Sequence, residues 1–252
     1  MTVKELYGFF EARIPSSLSE EWDNDGLMCS PDTSKEVSRV LVTLDVTEEI
    51  VDYAIESGFD LIVSHHPLIF KPISSLTADG SAARKLIKLL GAEISVFSFH
   101  TRADKVEGGV NDCLCDLLDI FDPKPFGEGS LGRIGCVEQQ SFEDFTYRVK
   151  QQTGADVVKY SDGLNPVSIV AVVGGDGKDF VRDAIESGAD TFLSGRISYN
   201  LMEEAAELGI NMIEAGHYFT EQPVTEFFRK ILLDSAPDLY VEVASSNTIK
   251  FL

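Results

Sequence analysis

Histidine is scarce in this 252-residue chain, with four in all, and cysteine is no more abundant. Cys29, Cys113, Cys115 and Cys136 include no Cys-x-x-Cys pair, and Cys113 and Cys115 would point different ways on a helix. A thiolate metal site is therefore set aside, and the four read as reduced packing residues. Positive charge is short too: 21 Lys and Arg stand against 42 Asp and Glu, a formal net charge of −21. That balance disfavours a broad surface for a phosphodiester backbone and, with it, nucleic acid as a partner. No apolar run approaches the ~18 residues that span a bilayer. The opening "MTVKELYGFFEARI" also lacks the basic start and apolar stretch of a secretory signal. The expectation is a cytoplasmic protein with no membrane association. Phosphate-loop motifs are missing as well. "VVGGDGKDF" (172–180) is glycine-rich but is neither G-x-G-x-x-G nor a Walker loop, and it reads as a tight turn whose amides could receive an anion.

What is present is an internal echo. "VDYAIESGFDLIVSHHP" from residue 51 matches "VRDAIESGADTFLSGRI" from residue 181, and each follows an apolar strand, "RVLVTLD" or "SIVAVVGG". Each copy reads strand, helix, Gly-x-Asp turn, strand, helix, strand. The predicted fold class is α/β, two similar halves from an internal duplication, each with right-handed crossovers on a largely parallel sheet. At 44% hydrophobic residues the chain can supply a core to each half. The Pro- and Gly-rich segment 121–135, "FDPKPFGEGSLGRIG", reads as the connection. The predicted domains are therefore 1–125, carrying His-His and His-Thr-x-x-Asp motifs, and 126–252, carrying Gly-His-x-x-x-Glu.

The four histidines all fall at predicted strand ends. "LIVSHHPLIF" holds His65 and His66, "ISVFSFHTRAD" holds His100 and Asp104, and "NMIEAGHYFTE" holds His217 and Glu221. Aligning the repeats sets His100 opposite His217 and Asp104 opposite Glu221, whereas Gly195 and Arg196 replace the His-His pair in the second copy. A spacing of four would put each His and carboxylate on one helical face, but the following Gly108-Gly109 and Pro223 place Asp104 and Glu221 in loops. Such loops leave the carboxyl ends of parallel strands, where open α/β sheets bind ligands.

Taken singly, each segment has a plainer reading: a buried hydrogen-bonded His65 or His66, Asp104 capping a helix, or Glu221 near a helix N-terminus. Convergence of three strand ends favours metal ligation instead. The nitrogen and oxygen donors exceed the four that one tetrahedral zinc needs, and a carboxylate can bridge, so two divalent ions per subunit are expected. Imidazole with carboxylate suits Zn, Fe, Mn or Co. "EEWDNDGLM" holds the only tryptophan, Trp22, and reads as a surface turn anchored by Trp22 in the core or as a polar loop lining the site.

"EEWDNDGLM", "LIVSHHPLIF", "HTRADKVEGGVND" and "GHYFTE", in this order, resemble the NIF-three-like family, also known as GTP cyclohydrolase I type 2 homologues. The resemblance implies a two-part α/β fold, a homohexamer and a dinuclear metal centre. It further implies that His66 and Asp104 hold one ion, that His65 and His217 hold the other, and that Glu221 bridges them. His100 would take a supporting or proton-transfer role. Family members often have Asn-Leu where this chain has Arg102-Ala103, and an arginine there is expected to pair with substrate phosphate or with Asp104.

The function expected is a metal-dependent hydrolase of a nucleotide or related small molecule. If the substrate is GTP, purine ring opening releases formate, and Lys71, Arg102, Lys105 and Arg196 are candidate cations for the triphosphate. A metallophosphoesterase or amidase, and a non-catalytic metal-binding hexameric scaffold or regulatory protein, are the alternatives.

Overall fold

The runs "RVLVT" and "LIVS" offer no polar face, as expected of strands covered on both sides. In the computed structural model, which describes residues 1–252, they are central strands of a five-stranded sheet. The chain begins α1 (Val3–Arg13), β1 (Gly26–Cys29), β2 (Arg39–Thr43), α2 (Glu48–Glu56), β3 (Leu61–Ser64), α3 (Ser81–Gly91), β4 (Ser95–Ser98) and α4 (Thr101–Lys105). It continues α5 (Val110–Leu117), β5 (Phe121–Phe126), β6 (Gly132–Gln140), α6 (Phe142–Thr153), β7 (Lys159–Ser161), β8 (Val167–Asp176), α7 (Val181–Glu186) and β9 (Thr191–Arg196). It closes with α8 (Tyr199–Glu207), β10 (Asn211–Glu214), α9 (His217–Glu221), α10 (Val224–Ser235) and β11 (Tyr240–Val243).

The first compact unit comprises Met1–Val106 and Val224–Thr248. Its sheet has the order β1-β4-β3-β2-β11, parallel except for β1. Ile50, Val51 and Ala54 of α2 and Leu86 and Leu89 of α3 form a core with Leu41, Ile62 and Val96. Alternate strand residues point to the other face. There Phe97 and the strand-end residue Phe99 meet Phe10 of α1, with Phe10 and Phe99 stacked at 4.6 Å between centroids, and Phe228 of α10 lies edge-on to Phe10. Each such buried side chain contributes roughly 1.5–3 kcal/mol, so the strand ends that carry the histidines rest on a firm base.

The second unit comprises Glu107–Pro223 and Ile249–Leu252. Its sheet runs β5-β6-β8-β9-β10-β7. Leu114 and Leu118 with Phe145 and Val149 cover one face, over Val170, Val172, Leu193 and Ile213. Val181, Ala184, Met202 and Ala205 cover the other, over Ala171, Phe192 and Met212.

The duplication is written in matching hydrogen bonds. Asp60 accepts from the amides of Ser38 and Arg39 at 2.9 and 3.1 Å, and Asp190 accepts from those of Ser168 and Ile169 at 2.9 and 2.8 Å. Gly58 and Gly188 turn the chain before them at φ +67° and +85°, a conformation costly for other residues. Each aspartate thus pins the start of one strand to the start of its neighbour.

Three expectations change. The second sheet is mixed, because only β8-β9-β10 is parallel while β5, β6 and β7 are antiparallel to their neighbours. Segment 121–135 is no linker but the β5-β6 hairpin. Pro123 and Pro125 sit on the edge strand, where a missing N–H costs no ladder bond. The compact units also differ from 1–125 and 126–252. Helix α5 packs in the second core, and β11 returns to pair in parallel with β2 of the first sheet. No helix is long and apolar enough to cross a membrane.

Candidate metal centre

In the first unit, β3 ends at Ser64 and delivers His65 and His66, while β4 ends at Ser98 and delivers His100. One ring nitrogen from each of these histidines lies within 4.8 Å of the others. Their rings sit 4.9 to 5.6 Å apart between centroids.

Each Nδ1 is held by an oxygen. His65 Nδ1 lies 2.9 Å from the Phe99 carbonyl oxygen, His66 Nδ1 lies 2.8 Å from Asp45, and His100 Nδ1 lies 2.9 Å from Asp23. A carbonyl or carboxylate oxygen accepts, so Nδ1 carries the proton in all three rings and each Nε2 presents its lone pair when the ring is neutral. This oxygen–imidazole pattern is the usual support of a metal-binding histidine. The Asp104 carboxylate stands 3.7 Å from His65 Nε2. His65 and Asp104 thus face one another. Imidazole nitrogens and carboxylate oxygens without thiolate fit a divalent ion of the Zn, Fe or Mn kind.

The carboxylate of each His-x-x-x-carboxylate motif lies on a short helix, contrary to the loop expected. Helix α4 starts after His100, and α9 spans His217–Glu221. Only a single turn fits before Gly108 and Pro223, but one turn suffices to bring i and i+4 together. His217 Nε2 and Glu221 Oε2 are 2.9 Å apart in the second unit, with Glu221 buried.

The glycine-rich "VVGGDG" explains how α9 fits. A Cβ at Gly175, whose φ is +67°, would lie 2.1 Å from Glu221 Oε1. A Cβ at Gly195 would lie 2.7 Å from the His217 Cα. Gly195 occupies the repeat position of His65, so the second copy has no room for that histidine.

The "EEWDNDGLM" loop, to which the sequence assigned no role, organises the β4-α4 junction. Asp23 also accepts from the Thr101 amide at 3.1 Å and hydroxyl at 2.7 Å. Burial opposes ionisation of Asp23, but the bonds from His100 and Thr101 outweigh it and hold the carboxyl well below the usual range. Burial likewise disfavours the His100 imidazolium, and the Asp23 bond with the charges of Asp104 and Asp23 outweighs it, raising that pKa. Asp25 accepts from the His100 amide at 3.2 Å. Trp22 is not a core anchor: it is 63% exposed. The buried carboxylates of Asp23 and Asp25 hold the loop in its place.

Arg102 is 1% exposed and engages Glu11 at 2.5 Å, Asp25 at 3.1 Å and the Ile14 carbonyl at 3.0 Å. It is a structural cation whose partners are Glu11, Asp25 and the Ile14 carbonyl rather than Asp104. Lys105 pairs with Glu20 at 2.5 Å. In the second unit, Lys159, Lys178 and Arg196 border a recess of ≈ 430 Å³ beside His217. The cysteines are free thiols, and burial pushes Cys29 up to about 11 and Cys113 and Cys115 up to about 12, which keeps them protonated.

Similarity to known proteins extends along the chain. The family model Duf34/NIF3 (NGG1p interacting factor 3) matches residues 1–250. A relative from Clostridium perfringens (strain 13 / Type A), named GTP cyclohydrolase 1 type 2 homolog, is 34% identical with 100% of both chains covered. A protein of the same name from Streptococcus pneumoniae serotype 4 is 36% identical, covering 86% of this chain and 85% of its own. Among solved structures, reduced HcgD from Methanocaldococcus jannaschii is 31% identical with a TM-score of 0.84, covering 96% of this chain and 97% of its own. A hypothetical protein from Staphylococcus aureus is 26% identical with a TM-score of 0.90, covering 100% and 99%.

Proposed function

The chain belongs to the DUF34/NIF3 family, and from that premise we propose that it is a metal-dependent hydrolase of a nucleotide or related small molecule, working as a homohexamer. The observation that carries the reading is the His65-His66-His100 cluster, in which each Nδ1 is committed to an oxygen and one ring nitrogen of each lies within 4.8 Å of the others.

The proposed ligands are His65, His66 and Asp104 from the first unit and His217 and Glu221 from the second. His65 with Asp104 in the first unit and His217 with Glu221 in the second each bring a nitrogen and an oxygen donor together, which supports these residues, with His66, as the ones that would hold the ions. Two divalent ions would supply Lewis-acid polarisation and activate water for attack.

The chain's own residues do the rest. Phe99 and Asp45 fix the ring planes of His65 and His66. His100, locked by Asp23 through Nδ1, offers Nε2 to hold or deliver a proton at the scissile group, as a general acid or base. Lys159, Lys178 and Arg196 beside His217 are paired with Glu214, Asp176 and Asp179, so an anionic substrate would take the place of those carboxylates. The name shared by the Clostridium and Streptococcus relatives makes GTP the first substrate to try.

The test is product analysis. Protein purified without chelator is incubated with nucleoside triphosphates while formate and phosphate are assayed. Ring opening yields formate, whereas a phosphoesterase yields phosphate. The reading expects turnover that chelator abolishes, that Zn, Mn or Fe(II) restores, and that His100→Ala lowers by about 10²–10⁴-fold. Turnover of nothing across the panel in fully metal-loaded protein would leave a metal-binding scaffold instead.

A further inference from the structure

The apolar surface around His100 is arranged opposite to what folding alone would select. Trp22, 63% exposed, and Phe70, 47% exposed, are held in the open while Asp23 and Asp25 beside Trp22 are buried. Burying these rings would be worth more than burying two carboxylates, which cost free energy unless bonded. The two rings nevertheless converge: Trp22 and Phe70 lie 6.2 Å apart between centroids at 71°, and each stands nearly edge-on to His100, at 6.3 and 6.1 Å. The loops that carry them are tied together by the Asn24 side-chain amide, which donates to the Ile69 carbonyl oxygen. Trp22 and Phe70 are therefore positioned by buried polar bonds on one side and a cross-loop bond on the other.

We propose that Trp22 and Phe70 form a binding platform for a planar aromatic or heteroaromatic ring of the substrate, seating that ring against His100. Aromatic pairs favour offset or edge-to-face contact, and an exposed tryptophan with an exposed phenyl ring set at 71° to it accepts a flat ring in that way. The ring's neighbour in the substrate then lies at the His100 imidazole, where the chain holds or moves a proton. This inference rests on the hydrolase reading for what happens to the ligand, but the platform binds whether or not metal is present.

Trp22 is the only tryptophan, so the site reports on itself. Intrinsic fluorescence of the full chain is titrated with adenosine, and with ribose as the non-aromatic control, in metal-free and metal-loaded protein. Saturable quenching by adenosine and none by ribose is expected, with Trp22 gaining protection from iodide. Phe70→Leu, which keeps an apolar side chain and loses the π face, should weaken adenosine binding by about tenfold, and Phe70→Tyr should restore it. Phe70 lies on an exposed loop, so folding is not at stake in either variant. No saturable quenching in either metal state overturns the platform, as does equal binding by Phe70→Leu. Iodide protection of Trp22 before any ligand, lost on dilution, also overturns it by showing that another copy of the chain covers the rings. Saturable adenosine binding to a protein that takes up no metal would preserve the platform and sink the hydrolase reading alone.

Discussion

Gly175 leaves no space for a side chain against Glu221: a Cβ there would lie 2.1 Å from the Glu221 Oε1, and the glycine's φ of +67° is one that L residues rarely adopt. The backbone of the β8 end and the carboxylate of α9 are thus shaped to one another. Gly175→Ala should move Glu221 and strain the turn, costing about 1–3 kcal/mol. The expected result is a melting temperature lower by several degrees together with weaker metal uptake. An unchanged melting temperature with full metal uptake would contradict the fit.

Asp45 is bonded to His66 Nδ1 at 2.8 Å and is itself held by Ser246 at 3.1 Å. Supporting carboxylates of this kind typically affect metal affinity by about 10–100-fold. Asp45→Ala should weaken zinc binding by that margin in a chelator competition while the circular-dichroism spectrum stays that of the wild type. Wild-type affinity would show that His66 is not a ligand.

Asp23 makes stability depend on acid. Its folded carboxyl is held below the unfolded value of about 3.9. Its contribution is therefore fully present above that value and lost as pH falls below it toward the folded pKa. Melting of metal-free wild type and Asp23→Asn between about pH 6 and about pH 3 should give curves that converge in acid. A constant difference across that window would contradict the assignment.

Arg102 is a test of structure against substrate binding. Removing one member of a buried ionic cluster typically costs about 3–5 kcal/mol because its partners stay behind, here Glu11 and Asp25. Arg102→Met should lower the melting temperature markedly. The remaining folded protein should keep wild-type affinity for nucleotide. Weakened nucleotide affinity at unchanged stability would return Arg102 to the substrate.

The duplicated unit was legible because Gly-x-Asp and the flanking apolar strands recur at the same offsets, and the structure uses both copies alike at Asp60 and Asp190. The histidines were legible because each closes a strand. Long-range pairing was not. Nothing local in "FDPKPFGEGSLGRIG" shows that its prolines lie on a sheet edge, and nothing near β11 shows that it joins β2. One-turn helices such as α4 and α9 are too short for periodicity to reveal. Of the two readings of the Trp22 loop, the one that anchors Trp22 in the core fails because bonds to residues 75 to 78 positions away decide how its loop lies. Those same bonds gave Asp23 its place beside His100, and the clue in the sequence was a pair of acids flanking Asn24. The glycines of "VVGGDG" were visible as a turn, but their purpose depends on Glu221, 46 residues beyond Gly175.

The metal centre stands or falls on elemental analysis of metal per chain. Protein purified without chelator or affinity nickel is reconstituted with Zn, Mn or Fe(II), and wild type is compared with Glu221→Ala. About two ions per wild-type chain are expected, falling to one or none in the variant. A wild-type chain that still holds less than about half an ion after reconstitution would contradict the metal centre.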